Sequence, residues 1–262
     1  MAGMGLARPI CLMSIKTKTQ TQEFLHSKFP KTVKTLSMFE DFDENLAATV
    51  RANRFSRGTP EHANMAIYRR GSYRVTEALV SRSVDPEELS ISYMVDAADF
   101  FGTYTPALTW QNLRSLALTS QLLHAQNGQS IQWLLYYPGA AALRIPSLRR
   151  LVIWRGFKGS ASAIIYQVDE EHASITWRST WDLDLTPGMI KVRQRVALQL
   201  HDLKLQIFKR LIYEEIVSHG DAIHHLNLPC NVVDPISLRQ MRKEVDPEDQ
   251  STRRPPVLFP FI

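Results

Sequence analysis

Three histidines and an aspartate lie close together late in the chain, and these side-chain types are common metal ligands. His224 and His225 are adjacent, and His219 and Asp221 precede them. A metal site needs side chains that converge on one ion, and two adjacent histidines rarely do so. We interpret this cluster as part of a loop after a helix, so the sequence predicts no metal site.

Other motifs with a defined reaction chemistry are missing. The segment GFKGSAS at 156–162 lacks both the Lys-Ser/Thr ending and the strand-to-helix context of a phosphate-binding loop. There is no GxSxG motif for a serine nucleophile. Cys11 and Cys230 lie far apart without CxxC spacing, which favours free thiols in a reducing compartment. No cofactor is predicted, and no motif requires a particular reaction.

A net charge of +5 and a pI near 9.2 favour acidic partners, although the excess is small for 262 residues. The central basic residues could form a patch for RNA or an anionic membrane surface, and a solvated face is the alternative. They are Arg144, Arg149, Arg150, Arg155 and Lys158.

The first 36 residues are basic, rich in Ser and Thr, and contain one acid, Glu23. This composition is typical of a transit peptide, which would direct the protein to a mitochondrion or plastid. The alternative is a disordered basic arm on a cytoplasmic protein. Residues 1–36 are therefore predicted to lie outside the folded domain, and no run of about 20 apolar residues is present to cross a bilayer.

The residues after 36 predict helices first. Ser37 is a possible N-cap with Glu40 at the capping-box position, and a bent helix or two short helices should follow between Pro60 and Val80. Thr109 and Gly128 should bound another helix with a broad leucine face. An alternating strand within 84–101 separates these two helical regions.

Strands predominate from 129 to 185. The stretch QSIQWLLYYPG at 129–139 is rich in residues that favour strands, and further strands are predicted at 151–157, 163–168 and 172–185. Their short connections predict an antiparallel meander. A long helix should then run from Pro187 to about His219, with Arg193 and its other basic residues on the polar side. Residues 190–200 also alternate, so a strand before a shorter helix is a rival. Residues 221–262 are rich in proline and read as an extended tail.

Two stretches resemble the nuclear transport factor 2-like, or SnoaL-like, α+β cone superfamily. They are ISYMVDAADFFGTYTPALTWQNLRSL at 91–116 and SAIIYQVDEEHASITWRSTWDLDL at 162–185. The resemblance implies one α+β domain over 37–220 with its core at 60–185, in which a curved antiparallel sheet packs on N-terminal helices and a long helix follows the sheet. A helix-grip lipid-binding fold is the second candidate, in which the helix from Pro187 would be gripped.

The cone resemblance also implies a ligand pocket between sheet and helices. Its implied lining residues are Tyr93, Trp133, Tyr137, Trp154 and Trp177. Asp96, Asp99 and His172 are candidate catalytic residues, because a carboxylate facing a histidine could remove a proton that the histidine returns. The alternatives are that the aspartates form turns or caps, that His172 is a solvated residue and that the tryptophans belong to the core.

These observations favour a non-catalytic binding or scaffold protein that uses a pocket or the long helix. Its partner would be a small apolar ligand or another protein, and a homodimer is possible. One alternative is a cofactor-independent isomerase or dehydratase acting on a small molecule. The other is an organellar assembly factor associated with a membrane or ribosome, which a cone-fold relative in mitochondrial export and ribosome machinery suggests.

Overall fold

The computed structural model describes residues 10–13, 32–40, 73–103, 108–125, 131–132, 134 and 144–243. The strands in these ranges are β1 (Ile10–Met13), β2 (Thr35–Phe39), β3 (Glu88–Asp96), β4 (Ser115–Thr119), β5 (Arg150–Phe157), β6 (Ser160–Val168), β7 (Ala173–Ser179) and β8 (Leu205–Leu211). The helices are α1 (Tyr73–Arg82), α2 (Ala97–Gly102), α3 (Pro187–His201), α4 (His219–Leu226) and α5 (Pro235–Lys243).

The described strands form one mixed sheet in which the order in space equals the order in the chain. Strands β1 to β5 are parallel to one another, and β8 is parallel to β7. Only β6 runs in the opposite direction, between β5 and β7. It is reached through a tight turn at Lys158 and Gly159, and Gly159 supplies a φ of 78° that side chains disfavour.

Each parallel pair needs a crossover connection, and α1 and α3, which lie in two of these connections, pack on the same face of the sheet. Buried residues of α1 and α3 join one core cluster, which includes Leu79 of α1 and Val196 of α3. Leu116, Leu151 and Ile175 contribute from the strands. Successive parallel crossovers in one direction have the same hand, which explains why both helices cover this first face.

The second face of the sheet is covered by α4 and α5. Alternate strand residues point this way, including Trp154 of β5 and Ile165 of β6, and they share a core cluster with Ile223 of α4 and Met241 of α5. The residues predicted as an extended tail therefore begin with two helices that complete the core. The predicted α+β class is confirmed, because helices pack on a central sheet.

Strand direction differs from the implied antiparallel sheet. Among the described strands only β5, β6 and β7 pair in that way, because only their connections are short. The predicted helix between Thr109 and Gly128 is wrong, since β4 occupies 115–119. Every residue of β4 is buried, and the helix-like leucine spacing depends on Leu113 and Leu122, which lie outside the strand.

The predicted long helix is also interrupted. α3 ends at His201, Asp202 adopts the left-handed conformation with φ of 56°, and the chain continues as β8. Neither the unbroken helix to His219 nor the rival order of strand before helix is correct. Met189 lies within α3, but its side chain is outside the described set.

The start of the chain departs from the sequence expectation in two places. Ser37 lies within strand β2 and does not cap a helix, and β1 lies inside the segment predicted to be disordered. Most of the possible transit peptide falls outside the described residues, so import remains a prediction. Of the predicted strand at 129–139, Ile131, Gln132 and Leu134 are helical and the remaining residues are outside the described set. None of the described helices is long and apolar enough to cross a membrane.

Gly220 allows α4 and α5 to approach closely, and its replacement by alanine should destabilise the protein. A Cβ atom there would lie 2.8 Å from Met241 Cβ and 2.9 Å from the Met241 carbonyl carbon. We expect Gly220→Ala to lower the free energy of unfolding by about 1–3 kcal/mol, because backbone must shift. Urea unfolding followed by circular dichroism measures this change.

Gly188 supplies the matched control, because it occupies the same second helical position in α3. A Cβ atom added there would meet no described atom within 4 Å beyond its own helix and chain neighbours. Gly188→Ala should raise stability by up to about 1 kcal/mol through helix propensity. Equal effects at the two glycines would contradict a close contact at Gly220.

Candidate ligand-binding site

A small cavity lies between α3 and the first face of the sheet. Its volume is about 20 Å³, which is room for one water-sized polar group. The floor is a single row of paired residues that crosses four strands: Leu151, Tyr166, Ile175 and Ile207. This row runs from the buried centre of the sheet to its β8 edge. The other lining residues are Ile153, Ile164, Leu185, Ile190 and Arg193.

Two polar side chains project into this apolar cavity. Arg193 of α3 is 4% exposed, and Tyr166 of β6 is 2% exposed. The guanidinium carbon of Arg193 lies 5.9 Å from the centre of the Tyr166 ring. Within the described structure, the Tyr166 hydroxyl has no hydrogen-bond partner. A cation and a hydroxyl therefore share a cavity whose remaining walls are aliphatic.

Burial changes the acid–base properties of both groups. Loss of water lowers the pKa of Arg193 to about 10, against a smaller opposing effect of Tyr166. Loss of water raises the pKa of Tyr166 to about 12, and the neighbouring Arg193 charge opposes that rise. At neutral pH the guanidinium is charged and the phenol is protonated. Both groups are hydrogen-bond donors, and this arrangement suits an anion.

Sequence reasoning placed Arg193 on the solvated side of a helix, and the structure corrects this. Ile190, Arg193 and Ala197 are three and four positions apart, so they lie on one face of α3. Val196 and Ala197 of this face are buried in the core. The available signal was that spacing, which was outweighed by the usual preference of arginine for solvent.

Those residues implied by the resemblance that the structure describes do not line this cavity. Tyr93 and Trp154 contact each other on the second face, with ring centres 5.2 Å apart, and the Tyr93 hydroxyl donates to the Gly156 carbonyl at 2.8 Å. Trp177 lies on the first face and packs against Trp181. Trp133 and Tyr137 are outside the described residues.

Asp96 has a capping role at the carboxyl end of β3. Its carboxylate accepts hydrogen bonds from the Ala98 and Gln121 amides at 2.8 and 2.7 Å and from the Ser120 hydroxyl at 3.0 Å. Desolvation raises its pKa, and these hydrogen bonds oppose the rise. Asp99 is exposed in the first turn of α2. The carboxylate of Asp96 thus holds α2 against the end of β4.

His172 lies far from Asp96. It belongs to the turn between β6 and β7, where its amide donates to Asp169 Oδ1 at 2.8 Å and its Nε2 lies 3.2 Å from Asp169 Oδ2. Asp96 pairs with Thr119, which pairs with Trp154, which pairs with Ala163 of β6. Ala163 lies five residues before Val168, where β6 ends next to the His172 turn. At ~3.3 Å per residue the two side chains lie about 16 Å apart along the strands. They do not form a proton-transfer pair.

The proposed basic patch is divided. Arg149 and Arg150 lie at the amino end of β5, and Lys158 lies in the turn at its carboxyl end. Arg155 is buried, where it donates to the Leu123 carbonyl at 3.4 Å and stacks over Phe157. Arg144 lies ahead of β5, and its carbonyl accepts from the Trp110 amide. These residues therefore do not form one continuous basic patch. Binding of RNA or an anionic membrane stays a prediction.

The histidine cluster belongs to α4. His219 begins the helix, His225 Nε2 lies 3.4 Å from Asp221 Oδ1, and Arg242 of α5 approaches the same carboxylate at 3.6 Å. The part of the chain that is described contains no group of side chains suited to a metal ion. Cys230 is a free thiol there, and burial raises its pKa to about 11.

Replacing Asp96 should therefore affect folding stability. In Asp96→Asn, one side-chain oxygen becomes an amide that cannot accept the Gln121 hydrogen bond, so we expect a loss of about 1–3 kcal/mol in the free energy of unfolding. Asp99→Asn is the matched control and should change stability by less than about 0.5 kcal/mol. Equal losses in urea unfolding would exclude the capping role of Asp96.

Comparison with known proteins places the chain without identifying an activity. No curated protein and no solved structure matches it significantly. One family matches residues 28–234, which include β2 to β8 and the whole cavity lining. Since this match covers more than half of the sequence, the chain belongs to the family of unknown function DUF6546.

Proposed function

We propose that this protein binds small carboxylates that carry an apolar tail. The observation that carries the proposal is the pair of buried donors, Arg193 and Tyr166, in a cavity with otherwise aliphatic walls. This function agrees with the sequence expectation of a non-catalytic binding protein.

The donor chemistry favours a carboxylate head group. The planar guanidinium of Arg193 can present two parallel N–H groups to two oxygens, and the Tyr166 hydroxyl can donate a further hydrogen bond. A phosphate dianion carries a second negative charge, and the described lining residues include no cation besides Arg193.

The shape of the site indicates an apolar tail. Only the head group fits beside Arg193, so the remainder of a ligand must leave along the floor row towards the sheet edge. Leu185, Ile190 and Ile207 border that route and are each partly exposed. An aliphatic chain on this route would be covered by aliphatic side chains, which contributes ~0.8 kcal/mol per buried methylene.

Binding is favoured over catalysis because the cavity offers no base at neutral pH. A proton-abstracting group needs a pKa near the working pH, whereas Tyr166 has a pKa of about 12. The isomerase alternative relied on Asp96 and His172, which lie at opposite ends of the strands. No second function is supported by a comparable feature of the described residues.

The first test compares octanoate with octanol by isothermal titration calorimetry. Octanoate should bind and octanol should bind at least about tenfold more weakly, because a hydrogen bond to a charged group contributes about 1.5–3 kcal/mol. Arg193→Met should abolish the preference for octanoate, and Tyr166→Phe should weaken octanoate binding by about tenfold or more.

Arg195→Met supplies the control, because Arg195 lies on the exposed side of the same helix. It makes the same chemical change and should leave octanoate binding intact. If Arg193→Met fails to fold, the Tyr166→Phe comparison still decides the question. Equal binding of octanoate and octanol by the wild type would overturn the proposed function.

Octanoate binding should also depend on pH in the alkaline range. The bound anion requires charged Arg193, whose pKa in the free protein is about 10. The dissociation constant should therefore stay constant between pH 7 and 9, double at about pH 10 and rise further above it. Tyr166 remains protonated throughout this range. A titration without this rise would mean that Arg193 does not contact the carboxylate.

A further inference from the structure

The last strand of the described sheet, β8, has an open edge. It pairs with β7 on one side, and the described part of the chain places no strand on its other side. Its apolar side chains are also unusually exposed: Ile207 by 37%, Phe208 by 39% and Leu211 by 40%. Open, apolar edges of this length are templates for pairing with another strand.

Hydrogen bonds at the two ends of β8 show which of its main-chain groups face outward. The Ala173 amide donates to the Lys204 carbonyl at 3.1 Å, and the Ile212 amide donates to the Ser179 carbonyl at 2.7 Å. In a parallel pair, the main-chain groups of successive residues point alternately towards the neighbouring strand and away from it. Residues 206, 208 and 210 therefore direct their main-chain groups to β7, and Leu205, Ile207, Lys209 and Leu211 direct theirs away from it.

We propose that β8 pairs with β8 of a second copy in an antiparallel arrangement centred on Phe208. In this register Leu205 faces Leu211 of the second copy, and Ile207 faces its Lys209. All four outward residues of each strand then form hydrogen-bonded pairs, so every outward amide and carbonyl of the seven-residue strand is satisfied. The proposal concerns the sheet edge and is independent of ligand binding.

Charge favours this register over its neighbours. A shift of the centre to Lys209 would bring two copies of the Lys209, Asp182 and Asp184 cluster, each with a net negative charge, opposite each other. A shift to Ile207 would oppose Lys204 and Arg210, and like charges in directly facing positions are destabilising. Either shift would also leave one outward residue of each strand unpaired. With Phe208 at the centre, Arg210 faces Gln206, which can accept a hydrogen bond from it.

Lys209 is an edge lysine, which in many sheets prevents such pairing. In this protein its ammonium group lies 2.9 Å from Asp182 and 3.5 Å from Asp184 of the same chain. The positive charge of Lys209 is therefore compensated within its own chain, with or without a second copy. The opposite face of the strand then presents the two Phe208 rings to each other at the two-fold axis, where aromatic pairs are favourable.

Sedimentation velocity of the full chain at a series of concentrations tests the dimer. The wild type should dimerise in the micromolar range, and Phe208→Lys should raise the dimer dissociation constant by at least about tenfold, because it opposes two lysines on the axis. Ile236→Lys makes the same change at a residue of α5 that is 67% exposed and should have no effect. A wild type that stays monomeric at about 100 µM would overturn the proposal.

Complementary variants test the register. Phe208→Lys and Phe208→Glu should each be monomeric, and an equimolar mixture should form a heterodimer in which the opposite charges face each other. Phe208→Cys should form an intermolecular disulfide on mild oxidation, because directly facing residues of this type have Cα atoms about 4.5 Å apart. Gln206→Cys is the control and should not, since its own copy lies about 13 Å along the strand.

The outcomes of these experiments are distinguishable. A dimer that both Phe208 charge variants leave intact would exclude β8 as the interface. Disulfide formation by Gln206→Cys in preference to Phe208→Cys would exclude the register. Phe208 lies on the face opposite the cavity, so Phe208→Lys should still bind octanoate and keep its preference for octanoate over octanol. Loss of dimerisation with retained binding would separate this proposal from the proposed function.

Discussion

Parallel pairing of consecutive strands is the constraint on which the rest of this structure depends. Two parallel strands start at the same end of the sheet, so the connection between them must carry the chain back along the length of the first strand. When this happens repeatedly in one direction, the crossover helices collect on one face. α1 and α3 lie there for this reason, and the opposite face is left for α4 and α5. The cavity lies where α3 packs over strands β5, β6, β7 and β8.

The same constraint explains which parts of the fold the sequence could predict. The segments that became β5, β6 and β7 were recognisable because they are rich in residues that favour strands and are joined by short turns, and β7 also alternates. β4 was missed because it is short and because its leucines, taken with Leu113 and Leu122 in the flanking segments, imitate the apolar face of a helix. The end of α3 was missed because the break is made by Asp202 in a left-handed conformation, with no glycine or proline to announce it.

The candidate site was less predictable than the fold, for two physical reasons. Asp96 and His172 could be paired only by assuming strand directions, and the true directions put them at opposite ends of the strands. Arg193 was assigned to solvent because burying a guanidinium is costly unless it is paired or hydrogen-bonded. The burial of Arg193 is also what makes the residue informative, because charges attract each other more strongly in low-dielectric surroundings.

Ile207 belongs to both the cavity and the open sheet edge. Its side chain lies in the cavity floor, and its main-chain groups point away from β7. A strand added at that edge and a molecule lying on that floor would therefore restrain the same residue. Thermodynamic linkage makes such an effect reciprocal: whatever factor pairing applies to the affinity of the cavity, an occupied cavity applies to pairing. A single edge residue is thus a point through which assembly and occupancy can regulate each other.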